Sequence, residues 1–342
     1  MSENQRIVGL DAARAIMMLL GVLLHALVFS IFFIEINSVS EFHVIMGTFF
    51  TIHTFRMPAF FLLAGYFSNM ILETRGSDGY LKNRGKRLGL VFLIFAPTIA
   101  PLTYLASDST QPLGLQHLWF LYYLLIVSGV FYLSTFLKMP EWLGNFQRKF
   151  GSWISSPALL WLAPLILTPI PGLLDESARI KTSESLIPNL TLLAFYGLFF
   201  ALGITLHKSG RVGLDALARR APILLVVGFL AAQVAFGWGV DDGLDVAKIP
   251  AALVASFYLS LGVIGIFVRL IKQENRVWTY LRKTSYWVYL VHLPIVFVVL
   301  RLAGALNLTS LIAIPSAFLF AFGFSLVTYE FLVKRTALVR IV

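Results

Sequence analysis

Apolar runs of about twenty residues, separated by short polar stretches rich in Lys and Arg, repeat along the whole chain. A helix needs about 20 mostly apolar residues to cross the hydrocarbon of a bilayer. Ten windows meet that length: 8–33, 44–72, 88–106, 117–137, 156–172, 188–206, 221–240, 249–270, 285–304 and 310–332. The pattern predicts an all-α polytopic membrane bundle of about ten helices, forming one domain over residues 1–342. With the N-terminus inside, Arg179, Lys181 and Lys248 are the Lys and Arg of the outer segments. Arg14, Arg56 and Arg301 fall within spans, and the rest of the 27 lie inside. Cytoplasmic loops carry such an excess, so both termini are expected in the cytoplasm. The outer segments are acidic instead, as in "LLDESARIKTSES" and "VDDGLD".

Composition agrees with this and narrows the function. Hydrophobic residues make up 58% of the chain and charged residues 13%, against about 25% charged in soluble domains. The net charge of +10 is accounted for by topology, so nucleic acid is not an expected partner. The absence of cysteine removes disulfides and thiolate metal sites. The first apolar run carries Asp11 and Arg14 and lacks a small-residue cleavage site after it, so it is expected to be an integral span. Short loops leave no room for an appended catalytic domain, and any chemistry is expected within the membrane.

Ionisable residues in apolar segments are costly and face a bundle interior or a wet cavity. Asp11, Arg14, His25, His53, Arg56, His117, His292, Arg301 and Glu330 are placed in this way. Residues eleven apart on a helix differ by three turns plus roughly 20°, so Arg14 and His25 share a face, with His25 roughly 16 Å further along the axis. Asp11, one turn before Arg14, can pair with it. His25 has only Leu23, Leu24, Ala26 and Leu27 beside it, so nothing local can pair with it. His53 and His117 each fit either a satisfied interfacial histidine or a chamber wall. Arg301 can snorkel to the headgroups. Arg56 precedes Pro58 and Gly65 in a span expected to kink. The loop "ETRGSDGYLKNRGKRLGL" suits either anionic lipid headgroups or a phosphate-bearing cytosolic ligand.

Taken in order, "LDAARAIMMLLGVLLHALVFS", "FRMPAFFLLAGYFSNM", "KNRGKRLGLVFLIFAP", "HLWFLYYLL", "SYWVYLVHLP" and "VTYEF" resemble the acyltransferase 3 family of integral membrane acyltransferases, whose first span carries an Arg and a His separated by ten residues. The resemblance covers essentially the whole chain. It is strongest to a branch associated with succinylation of osmoregulated periplasmic glucans, although Ala64-Gly65 stands where many members have Ser-Gly. It implies a bacterial inner-membrane enzyme that takes an acyl group from cytosolic acyl-CoA as co-substrate, succinyl or acetyl, to a hydroxyl of an extracytoplasmic carbohydrate. O-acetylation of another surface polysaccharide or lipid-linked glycan fits the same resemblance.

On that reading, His25 is the central catalytic residue, either accepting the proton of the sugar hydroxyl or becoming acylated itself. Arg14 and Asp11 hold the inner end of the polar stripe. His292 and Glu330 are further candidates for orienting His25 or the acceptor. The donor is assigned to Arg14, Arg56, Lys82, Arg84 and Arg87, with Arg56 suited to an oxyanion or an acyl carboxylate. The acceptor is assigned to His117, Trp119 and Tyr122, with Trp238 as another stacking surface. No GxSxG, HExxH or Walker-type loop is present, and no metal site is expected. The rival class is a carrier of organic anions or lipid-linked glycans, for which an Arg and a His at this spacing have no evident use.

Overall fold

A computed structural model describes residues 7–107, 114–137, 144–145, 149, 179–183, 185–237 and 245–341. The window 156–172 and Trp238 lie outside the described residues. Helices occupy Val8–Phe33 (α1), Val39–Arg84 (α2), Val91–Ser107 (α3), Trp119–Ser134 (α4) and Leu190–Lys208 (α5). They continue with Gly210–Phe236 (α6), Asp245–Leu270 (α7), Arg276–Ala305 (α8) and Ser310–Thr328 (α9). A π turn at Gly85–Leu90 joins α2 to α3, and another, Tyr329–Val333, ends α9. Eight helical segments among the described residues are long and apolar enough to cross a membrane, the continuous stretch Val39–Ser107 counting as one of 69 residues. The molecule is a helical membrane bundle.

A straight helix of the 46 residues of α2 would be ~70 Å long, more than twice the hydrocarbon thickness. Gly76, at φ 67 and ψ −179, breaks it, a conformation that glycine adopts without a Cβ clash. The tail beyond the break buries Tyr80 against the Phe131 and Tyr132 rings of α4, and Tyr80 donates to the Ser128 carbonyl at 3.2 Å. Arg84 is thereby brought to Ser68, to which it donates at 2.8 Å.

Centrality explains how α1 carries its polar stripe. It packs against α2, α7, α8 and α9, so its ionisable residues meet other helices instead of lipid. The α2 and α5 backbones also touch closely: a Cβ on Gly65 would lie 1.9 Å from the Phe200 carbonyl oxygen, and one on Gly203 1.9 Å from that of Leu62. Small residues allow such approach in membranes, where dispersion contacts replace the hydrophobic drive to associate.

Candidate active site

Two polar regions lie along α1. One is a chamber of about 440 Å³ whose walls include His25, His53, Arg56, His117 and Trp119, with Arg179, Lys181 and Thr182 at its rim. The other is a set of three cavities, of about 720, 380 and 90 Å³, that all include Arg14 and Arg87 in their walls. On one face of α1, Arg14 and Met18 line the second region and His25 the first.

The chamber is built on a histidine cluster. His25 Nδ1 lies 2.8 Å from His292 Nε2, with the two rings parallel to within 5°. His292 is fully buried, and its Nδ1 faces the carbonyl oxygens of Tyr289 at 2.8 Å and Val288 at 3.1 Å. Carbonyls only accept, so His292 Nδ1 carries the hydrogen. In the neutral pair, His292 Nε2 then accepts and His25 Nδ1 donates. His25 Nε2 is left with its lone pair on a partly exposed ring at the chamber wall. Two main-chain carbonyls and a histidine thus orient a base, a task that a carboxylate performs in hydrolase triads.

His117 joins the same cluster, its ring centroid 5.1 Å from that of His292 and 6.2 Å from that of His25. Its Nε2 donates to the Leu290 carbonyl at 3.2 Å, and Tyr289 donates from its hydroxyl to the His117 carbonyl at 2.8 Å. His53 donates from Nε2 to the carbonyl of Ile180 at 2.8 Å, tying segment 179–183 to the chamber. Among the described residues no group of three His, Cys, Asp or Glu is arranged to hold a metal.

The second region is an arginine cluster. Arg14 pairs with Asp11 at 3.1 Å and stands 4.8 Å over the Phe67 ring. Arg14, Arg84 and Arg87 share the 720 Å³ cavity with Arg75, Arg211 and His207. The 90 Å³ cavity runs from Arg14, Arg84, Arg87 and Arg282 to Phe60 and Phe120, whose rings meet edge to face at 4.7 Å. Each of those two phenylalanines is within one helical turn of a chamber residue, Met57 or Trp119. Planar guanidiniums in such number suit phosphate groups.

The structure groups the sequence candidates differently from the assignments above. His25, His292 and His117 come together, and Trp119 lines their chamber. Arg56, assigned to the donor along with the basic loop, lies in the chamber as well. Arg14, Asp11, Arg84 and Arg87 come together in the second region. Lys82 is exposed and lines none of these cavities. Glu330 pairs with Lys334 at 2.6 Å beside Arg14 and Arg87 in the 380 Å³ cavity, away from the histidines. Tyr122 stacks on Phe92 and donates to the Leu186 carbonyl at 2.9 Å, again outside the chamber. Arg211 and Arg282, which the charge pattern explains by topology alone, line these cavities together with Arg75 of the basic loop. The recurrence of Arg282 and Tyr286 at i, i+4, both lining the narrow cavity, was the available signal.

The family model for the acyltransferase domain of acyltransferase 3 proteins matches residues 7–330. "Glucans biosynthesis protein C" of Salmonella schwarzengrund (strain CVM19633) is 25% identical over 356 residues, covering 94% of this chain and 90% of the relative. The protein of that name from Salmonella heidelberg (strain SL476) is 25% identical over 363 residues with the same coverage. The one from Salmonella paratyphi B (strain ATCC BAA-1250 / SPB7) is 24% identical over 355 residues. No solved structure matches. A multi-pass helical bundle with a histidine chamber beside an arginine cluster, matched over nearly its whole length by one family model, belongs to the acyltransferase 3 family and is a membrane acyltransferase.

Proposed function

We propose that the protein transfers an acyl group from cytosolic acyl-CoA to a hydroxyl of an extracytoplasmic carbohydrate, in the bacterial inner membrane. The observation that carries this reading is the His25–His292 hydrogen bond of 2.8 Å, which leaves His25 Nε2 as a proton acceptor on the chamber wall. Coenzyme A is rich in phosphate, and the cavities around Arg14, Arg84, Arg87 and Arg282 offer a matching field. The narrow cavity past Phe60 and Phe120 suits the slim pantetheine arm. The roughly 16 Å between the Arg14 and His25 levels of α1 is a span that this arm can bridge.

In the direct form of the reaction, His25 Nε2 takes the proton of the attacking hydroxyl as its oxygen bonds to the thioester carbon. The C–S bond then breaks, and the thiolate takes the proton back from His25. The products are the sugar ester and free coenzyme A. His292 holds the imidazole in the required tautomer throughout. His117 and Trp119 form the wall against which the acceptor is held. Membrane lipids surround the bundle.

The names of the relatives favour a periplasmic glucan as acceptor, and a succinyl donor accords with the cations Arg179 and Lys181 at the chamber rim. The test expresses wild type and His25→Ala at matched membrane levels in a host lacking the gene, and analyses periplasmic glucans by mass spectrometry. Succinyl adducts in wild type alone are expected. Adducts at equal level in His25→Ala overturn the role of His25, and unmodified glucans in both strains overturn the acceptor.

A further inference from the structure

Among the described residues, Arg56 is the one cation that lines the chamber and is also deeply buried, at 8% exposure. Its Nε is buried without a hydrogen-bond partner, and its guanidinium makes no ion pair among the described residues. An unpaired buried charge is strongly unfavourable, so a cation this deep without a counter-ion is suited to meet negative charge in the chamber.

The position is set by Gly21. A Cβ built there would lie 2.8 Å from Arg56 Nη1, so the guanidinium occupies the notch that this glycine leaves in α1. Gly21 is four residues before His25, on the same face and ~6 Å along the axis toward Arg14. Met18, one turn further, lines the narrow cavity. The guanidinium therefore stands between the arginine cluster and His25, on the side from which a donor approaches, while Arg179 and Lys181 stand at the rim.

We propose that Arg56 is a catalytic residue that stabilises the oxyanion formed on the thioester carbonyl. This rests on the acyl-transfer reading above. As the hydroxyl oxygen bonds to the carbonyl carbon and its proton passes to His25 Nε2, the carbonyl π pair moves onto oxygen, where the Arg56 N–H groups donate to it. The pair returns to re-form C=O as the C–S bond breaks, and the thiolate leaves with the proton from His25. A donor fixed in place before the reaction acts without reorganisation, and removal of one such group lowers kcat by roughly 10²- to 10³-fold.

The experiment measures transfer in membranes containing the full chain, with acetyl-CoA and succinyl-CoA as donors and a β-glucan oligosaccharide as acceptor. Arg56→Met is expected to lower kcat by the same factor with both donors at little-changed KM, and Arg56→Lys to retain an intermediate rate. Gly21→Ala keeps the charge but displaces the guanidinium, and is expected to lower kcat about tenfold. Gly197→Ala, at a position with open space around its Cβ, serves as the control and is expected to match wild type. A loss confined to succinyl-CoA overturns the proposal in favour of a carboxylate anchor. A loss expressed only in the acceptor KM, or unchanged rates in both Arg56 variants, also overturns it. Wild-type membranes that transfer neither group overturn the glucan acceptor, and with it the reading on which the role of Arg56 rests.

Discussion

His117 is anchored on a carbonyl that Pro294 sets free. Proline has no N–H to donate, so the carbonyl four residues earlier in α8, that of Leu290, loses its helical partner. His117 Nε2 donates to that oxygen at 3.2 Å. A proline inside a span thus creates an acceptor at membrane depth, and a chamber histidine uses it.

Pro294→Ala is accordingly expected to separate stability from activity. The new N–H competes for Leu290 and restores a helical bond, removing a residue unfavourable by about 3 kcal/mol in a helix interior. His117 loses its partner, worth about 1–3 kcal/mol for a buried group. The thermal midpoint in detergent is expected to hold or rise while acyl transfer falls about tenfold. A parallel fall of both would refute the linkage.

His292→Phe keeps the ring volume but removes the acceptor for His25 Nδ1–H, together with the donor to the Val288 and Tyr289 carbonyls. The imidazole of His25 is then free to turn and to change tautomer. Transfer is expected to fall by between about 10²- and 10⁴-fold, the range of general acid–base contributions. Matched single-turnover rates on membranes would check this, with donor KM nearly unchanged.

Arg87 lines all three cavities of the arginine cluster. Loss of a hydrogen bond to a charged group is worth about 1.5–3 kcal/mol. Arg87→Gln is expected to raise the KM for acyl-CoA by about tenfold or more and to leave the acceptor KM in place. Donor titrations at two salt concentrations would also show a weaker salt dependence than wild type, because one screened attraction has gone.

Packing of α2 on α5 is open to a direct check. A Cβ at Gly65 meets the Phe200 carbonyl oxygen at 1.9 Å, so Gly65→Ala forces the helices apart. Overpacking of this kind is unfavourable by typically about 1–3 kcal/mol. Gly85→Ala meets nothing within 4 Å and is expected to leave the unfolding midpoint in detergent where it is.

Much of the architecture was legible in the sequence because membrane burial imposes a local rule. Each crossing must carry its own run of apolar residues, and a charge within a run must turn toward protein or water. Periodicity along a single helix was equally readable: Arg14 and His25 share a face of α1 whatever surrounds them. Partners on other helices follow no such rule. That His292 rather than Glu330 meets His25 depends on how α8 packs on α1, and Glu330 instead pairs with Lys334 one turn away. The place of Arg56 depends on the absence of a side chain at Gly21, thirty-five positions earlier. The sequence by itself determined that the helices lie in a membrane and which residues must face inward. Tertiary packing decided which of those residues touch, because hydrogen bonds across helices require distances of about 3 Å that only the assembled bundle sets.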